Sequence, residues 1–411
     1  MTSKNNDKNS INVGMIALGC EKNRIDAEIM LSIESILDVA RYKKTGSLKK
    51  LIVTGCMAER YKDEIKKELP EVDACLGSKS FDHICTALEA LDNVPFYTHY
   101  LPLDAETPDG YRILTSPKHS VYIKIADGCS RHCSYCVIPS VRGEFIPRKF
   151  ESVIEEAKYL SENGAKEINI IAQDTTMHPE LLTIIKEVCN IPSVKWVRLL
   201  YCRPEGISDE LLMLMQSEEK FVPYMDVPLQ HASKHILKLM NRSGDDKSLF
   251  KLLTKIRQYI PEVSLRTTFI TGFPSENEED FEILCNFIKE VKFNNLGVFT
   301  YSREDGTKAS RMHEQIDEDV KQRRAEIIMS LQLNLLSEIN NIFINKTYEV
   351  LCEGKEAEGE KYYGRAYFQA PDVDGKIYFT SETPCVEGEF YKITIDSFIE
   401  YDFYGKNNIN N

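Results

Sequence analysis

The sequence predicts an α/β protein in three parts: a shortened N-terminal small parallel α/β domain, a central partial (β/α)6 barrel and a C-terminal small antiparallel β-barrel. Three observations predict it. Two short apolar runs near the N-terminus each end in Gly-Cys and feed a helical pattern. Six further apolar runs alternate with amphipathic helices between residues 120 and 310. From Lys346 onward short β runs are separated by glycines and charged turns. Alternating strand and helix implies a parallel sheet covered by helices, and closely spaced short strands imply a small closed barrel.

Residues 12–18 read as a buried strand ending in Gly19-Cys20, followed by a helix over 23–42. A second strand at 50–54 ends in Gly55-Cys56 and feeds a helix over 58–68. Both cysteines then fall at the carboxyl edge of one parallel sheet, where open α/β sheets place their ligands. The polar, proline-bearing stretch 93–119 reads as a linker after a first domain of 11–92. The central domain, 120–312, carries strands at 121–125, 167–172, 195–200, 224–228, 264–270 and 296–301, with helices such as 152–162, 208–215 and 278–291. Six units are too few for a full eight-stranded barrel, so the sheet is expected to stay open, with its site at the strands' C-terminal ends. A polar helical stretch, 313–345, connects to the last domain, 346–408.

With 411 residues and 42% hydrophobic content, the chain is long enough for two or three domains with their own cores. No apolar run approaches the length of about 18 residues that spans a bilayer, and no charged-plus-apolar leader opens the chain. The expectation is a cytoplasmic protein without a membrane partner. Twelve cysteines in such a chain favour a reducing compartment and metal ligation over disulfides. A formal charge of −13 argues against nucleic acid as the primary partner and suits a basic protein.

The strongest motif is Asp127-Gly128-Cys129-Ser130-Arg131-His132-Cys133-Ser134-Tyr135-Cys136. Its C-x3-C-x2-C spacing gathers three thiolates on one loop, one short of a tetrahedral shell. Thiolates at short spacing suit iron–sulfur clusters or zinc. Three ligands on a cluster leave one iron open to bind something else. A zinc loop closed by a fourth ligand from elsewhere, His119 or His132, is the alternative.

The chain resembles the radical S-adenosylmethionine (SAM) methylthiotransferases, and within them the branch that modifies ribosomal protein S-twelve. The runs that carry the resemblance are Leu18-Gly19-Cys20-Glu21-Lys22-Asn23, the three-cysteine loop with Tyr135, Ile171-Ala172-Gln173-Asp174-Thr175-Thr176, and Pro228-Leu229-Gln230-His231. Leu265-Arg266-Thr267-Thr268 through Gly272-Phe273-Pro274 and Tyr363-Gly364-Arg365-Ala366-Tyr367 extend it. It implies a radical-SAM core and a TRAM-type last domain. It also implies a 4Fe–4S cluster on Cys129, Cys133 and Cys136 that binds SAM, and a second, auxiliary 4Fe–4S cluster in the N-terminal domain with Cys20 and Cys56 among its ligands. The implied reaction adds a methylthio group to the β-carbon of an aspartate. An electron donor such as flavodoxin or ferredoxin is implied too.

On the same resemblance, Gln173, Asp174 and Thr175 fall where the family reads the SAM amino group. Asp226, Gln230 and Arg266 are SAM or substrate contacts, or else satisfied polar groups of the barrel rim. Gly272 lets the backbone approach the adenine. His231 and His235 are read as structural, and no residue is singled out as acid, base or nucleophile.

Two segments depart from the family pattern. Three N-terminal cysteines are expected, yet between Cys20 and Cys56 residues 27–37 run on as one helical pattern where a strand and its cysteine belong. The auxiliary cluster is therefore either assembled differently or degraded, and Cys75 and Cys85 read as buried structural thiols. The chain is also shortened after Thr176, and Arg203 stands in place of an aromatic. Two other functions remain open: a transfer-RNA adenosine methylthiotransferase, and a variant that cleaves SAM but has lost sulfur insertion. From Lys346 onward seven Lys and Arg face thirteen Asp and Glu. That acidic balance suits a basic ribosomal protein as the last domain's partner better than RNA.

Overall fold

The computed structural model describes residues 13–18, 25–105, 117–357 and 359–407, and only the backbone path over 13–34. Cys20 lies outside the described residues. The chain forms two compact units. One is the N-terminal sheet with 128–131 and 136–146, and the other takes in 117–127, 132–135 and the chain from 147 on.

The first unit holds a four-stranded parallel sheet, β1 (Val13–Leu18), β2 (Lys50–Gly55), β3 (Ala74–Leu76) and β4 (Tyr97–His99), in that order. β3 and β4 have three residues each, too short to show a period, and sequence reading missed both. β4 lies within the expected linker 93–119, which is corrected accordingly. A 20-residue helix, Ile25–Lys44, lies along the chain between β1 and its partner β2. The helix expected over 58–68 is two helices, Cys56–Arg60 and Lys62–Glu68. Ile36, Leu51, Val53, Ala58 and Ile65 form the core.

Cys75 sits at the middle of β3, fully buried in that core, and burial pushes its thiol up to about 12. Cys85, expected to be buried, is exposed. On the helix Ile84–Ala90 the apolar stripe is taken by Ile84, Ala87, Leu88 and Leu91, and Cys85 falls off it.

The second unit is built on six parallel strands in sequential order: β5 (Ser120–Lys124), β6 (Glu167–Ile171), β7 (Trp196–Leu199), β8 (Phe221–Asp226), β9 (Ser264–Thr271) and β10 (Asn295–Thr300). Alternate residues point to opposite faces. One set, with Val121, Ile123, Ile168, Ile170, Val197 and Leu265, is apolar and buried. The other set is polar: Ser120 and Tyr122, Glu167 and Asn169, Arg198, Tyr224 and Asp226, Ser264 and Arg266.

That polar face is occupied by the C-terminal barrel, made of β11 (Thr347–Lys355), β12 (Tyr362–Arg365), β13 (Ile377–Thr380), β14 (Phe390–Ile399) and β15 (Asp402–Asn407). The barrel closes in the order β11-β12-β13-β15-β14. It is not wholly antiparallel as expected. β15, unseen in the sequence, enters beside β13 as a parallel neighbour.

Arg365 reaches Glu167 at 2.6 Å, and Glu167 also accepts from Arg198 and from the Ser120 hydroxyl. Burial alone would raise the Glu167 carboxyl, but the two guanidiniums outweigh it and hold it down to about 2. Asp374 takes the Tyr224 hydroxyl and Arg266, and Asp372 takes Tyr122. Trp196 meets Phe390 edge to face in an apolar cluster shared with Leu351 and Ala370. Glu349 and Glu389 pair with Lys195 and Lys166, while Glu387 stands 3.7 Å from the His119 ring, which burial keeps from taking a proton. Part of the last domain's acidity is therefore taken up in docking to the sheet.

Candidate active site

The C-terminal ends of β5 to β10 carry the candidate residues. The three-cysteine loop follows β5. Gly128 opens it with φ +72°, and a Cβ there would lie 2.0 Å from the Glu144 carbonyl oxygen, so the Asp-Gly-Cys turn needs glycine. The Cys129 N–H donates to Gly143. Ser134 is bonded through N–H and hydroxyl to Met240 and Leu239, which fixes the second half of the loop to the core. Tyr135 packs edge-on against Phe273.

Cys129, Cys133 and Cys136 are all half-buried free thiols. Among the described residues no group of three His, Cys, Asp or Glu side chains is placed to hold a single metal ion. The fit to a cluster rests on the donor chemistry: three unoxidised thiols at cluster spacing, with a guanidinium N–H aimed at one of them. The Arg203 Nη1 donates to the Cys133 Sγ at 3.2 Å. The zinc alternative loses one fourth ligand. His119 precedes β5 while the cysteines follow it, and five strand residues of about 3.3 Å each lie between.

Past β6, Asp174 is buried and accepts from the Thr176 hydroxyl. Thr175 gives its hydroxyl to the carbonyls of Leu200 and Tyr201. It clamps two strand ends. Gln173 is half-buried at the same strand end.

Asp226 accepts from the Tyr201 N–H at 3.0 Å. Arg266, third residue of β9, is held by Asp374 at 2.6 Å, with Asp226 farther off at 3.8 Å. Both are satisfied polar groups, and Arg266 belongs to the docking of the barrel. Gly272 has local partners too. Its φ is +69°, its N–H is taken by Glu276, and the space of a Cβ is filled by the Lys321 stem, 2.1 Å away. The glycine serves helix packing at that position.

Gln230 stands apart. It has φ +71°, its backbone bridges to Phe269 beyond the end of β8, and its buried Oε1 has no protein partner among the described residues. The buried Tyr301 hydroxyl, just past β10, is in the same condition, and sequence reading did not single it out. An unpaired buried polar atom costs about 1–3 kcal/mol unless a ligand or water satisfies it. Two of them at strand ends fit a polar ligand such as SAM. His231 and His235 are structural: they bond to Ser233 and Asp280.

Residues 123–288 match the radical SAM superfamily and residues 344–407 the TRAM domain. The chain is 40% identical over 435 positions to the ribosomal protein uS12 methylthiotransferase RimO of Clostridium botulinum (strain Eklund 17B / Type B), covering 96% of this chain and 97% of that one. The namesake proteins of Lachnoclostridium phytofermentans and Acetivibrio thermocellus are each 39% identical, covering 95% and 96% of this chain and 98% of their own. The chain belongs to the uS12 methylthiotransferase family.

Within that family, its 411 residues align over 435 positions, so the relative carries residues this chain lacks. Among the described residues, the helix Ile25–Lys44 is the one element between the paired strands β1 and β2. Cys56 begins the helix Cys56–Arg60 and is half-buried. Cys75, locked in the core, is no substitute ligand for an auxiliary cluster. No helix of the described residues is long and apolar enough to cross a membrane.

Proposed function

We propose that this protein adds a methylthio group to an aspartate of ribosomal protein uS12. The family membership carries the reading, and the three-cysteine loop at the ends of a parallel sheet supports it. Cys129, Cys133 and Cys136 would hold a 4Fe–4S cluster, with Gln173, Asp174, Gln230 and Tyr301 nearest to the place for SAM. When bound, the cluster and SAM supply the hydrogen-abstracting radical that no side chain can provide.

The chain's own contribution is placement. Gly128 and the Ser134 bonds fix the cysteine loop. Gln230 offers a desolvated acceptor to a cationic or N–H-bearing ligand. The docked barrel covers one face of the sheet and leaves the strand ends as the reacting edge. An electron donor of the flavodoxin or ferredoxin type and a reducing, cytoplasmic setting belong to the same proposal.

The test is to reconstitute the protein with iron and sulfide, add reductant, SAM and uS12, and analyse uS12 by mass spectrometry. Methylthiolation confined to one aspartate is expected. Unmodified uS12, with methylthiolated adenosine formed on transfer RNA instead, would overturn the reading.

A further inference from the structure

Arg203 is placed by bonds on two sides. Its Nε and Nη2 edge is paired with the Glu205 carboxylate at 3.2 and 3.3 Å, and Glu205 is itself braced by the Ser243 hydroxyl at 2.6 Å. This leaves Nη1 for the Cys133 sulfur. The Arg203 side chain is only 11% exposed. It follows β7 in Tyr201-Cys202-Arg203-Pro204, where Pro204 starts a 3-10 turn and Cys202 is pinned through its N–H to Asp226.

We propose that Arg203 sets the reduction potential of the cluster held by Cys133, raising it by stabilising the charge that reduction adds. The inference rests on the assignment of Cys133 as a cluster ligand. In the step concerned, one electron from a low-potential one-electron donor enters the oxidised cluster. No bond is made or broken and no proton moves. The cluster is already made anionic by its thiolates, so a nearby cation favours the reduced form more than the oxidised one. Hydrogen bonds to cluster sulfurs act in the same direction. The guanidinium supplies both effects, and partial burial weakens screening by solvent. Glu205 opposes it, since the paired carboxylate offsets part of the charge.

The experiment is a redox titration of the reconstituted full-length protein, without SAM or substrate, followed by electron paramagnetic resonance. Arg203→Met is expected to lower the reduction equilibrium constant about tenfold, roughly 59 mV for one electron. Arg203→Lys keeps the charge and should stay near the parent. Glu205→Gln should move the potential the other way.

A change below threefold in Arg203→Met, or a shift of Arg203→Met and Glu205→Gln in the same direction, overturns the proposal. The second outcome would mean that both merely support the loop. If Arg203→Met takes up no iron, Glu205→Gln decides alone, and an unchanged or lowered potential overturns it. Cys133→Ala separates this from its premise. If that variant still assembles the SAM-binding cluster, the ligand assignment fails whatever the potentials show.

Discussion

Glu167 on β6 and Arg365 at the end of β12 are 198 residues apart in sequence and meet at 2.6 Å with neither side chain more than 1% exposed. Arg198 completes the site from the neighbouring strand β7. The last domain is therefore bound to the sheet by buried charge as well as by Trp196, Phe390 and Leu351. It is not a detachable arm.

Breaking this contact should damage the whole second unit. Removing one partner of a buried ion pair leaves an uncompensated charge and costs about 3–5 kcal/mol. Glu167→Ala is expected to lose that much in a denaturant titration. A chain truncated after Asn345 is expected to aggregate, because it would bare Glu167, Arg198, Trp196 and Tyr224. A soluble, cooperatively folding truncation would contradict the docking described above.

The same contact gives a pH dependence of definite sign. The Glu167 carboxyl falls from 4.5 to about 2 on folding. A depressed acid contributes stability that is fully present above pH 4.5 and is lost as pH falls toward 2. The loss comes to about 3 kcal/mol, because each tenfold difference in proton affinity between the folded and unfolded chain is worth about 1.4 kcal/mol. The stability difference between wild type and Glu167→Gln should therefore shrink across that window. Denaturation curves of both proteins at several pH values measure it, and a constant difference would rule it out.

Gly272→Ala tests the local role of that turn. A side chain at positive φ costs about 1–2 kcal/mol, and the new methyl would also press on the Lys321 stem. Stability should fall by at least that amount, while SAM affinity measured on the folded fraction stays near the parent value. Weakened SAM binding with unchanged stability would restore the adenine-contact reading.

The two halves of the chemistry should also come apart. The cysteine loop is complete, whereas among the described residues only the helix Ile25–Lys44 lies between β1 and β2. We expect 5′-deoxyadenosine to be produced in clear excess over methylthiolated uS12 when both are quantified in one reaction. Equal yields would show a fully working sulfur site and would call for a further ligand search. Cys75→Ser should alter neither yield except through stability, because its thiol is enclosed in the core.

The six long strands, their helices and the cysteine loop were legible in the sequence, because each depends on local pattern: apolar alternation, capping residues and fixed cysteine spacing. Asn277 and Asp245 cap their helices as such residues do. What the sequence left open were contacts between residues distant along the chain. β3 and β4 are too short to carry a period and exist because neighbouring strands pair with them. Arg266 and Gly272 sit in motifs that suggested ligand binding, yet Asp374 and Lys321, 108 and 49 positions away, occupy them. The acidity of the last domain was legible, but not that Glu349, Asp374 and Glu389 pair with Lys195, Arg266 and Lys166. Local pattern determines which element a residue joins. Only the tertiary structure decided which group each charge neutralises, because in a buried site that partner comes from whichever strand the packing brings within 3 Å.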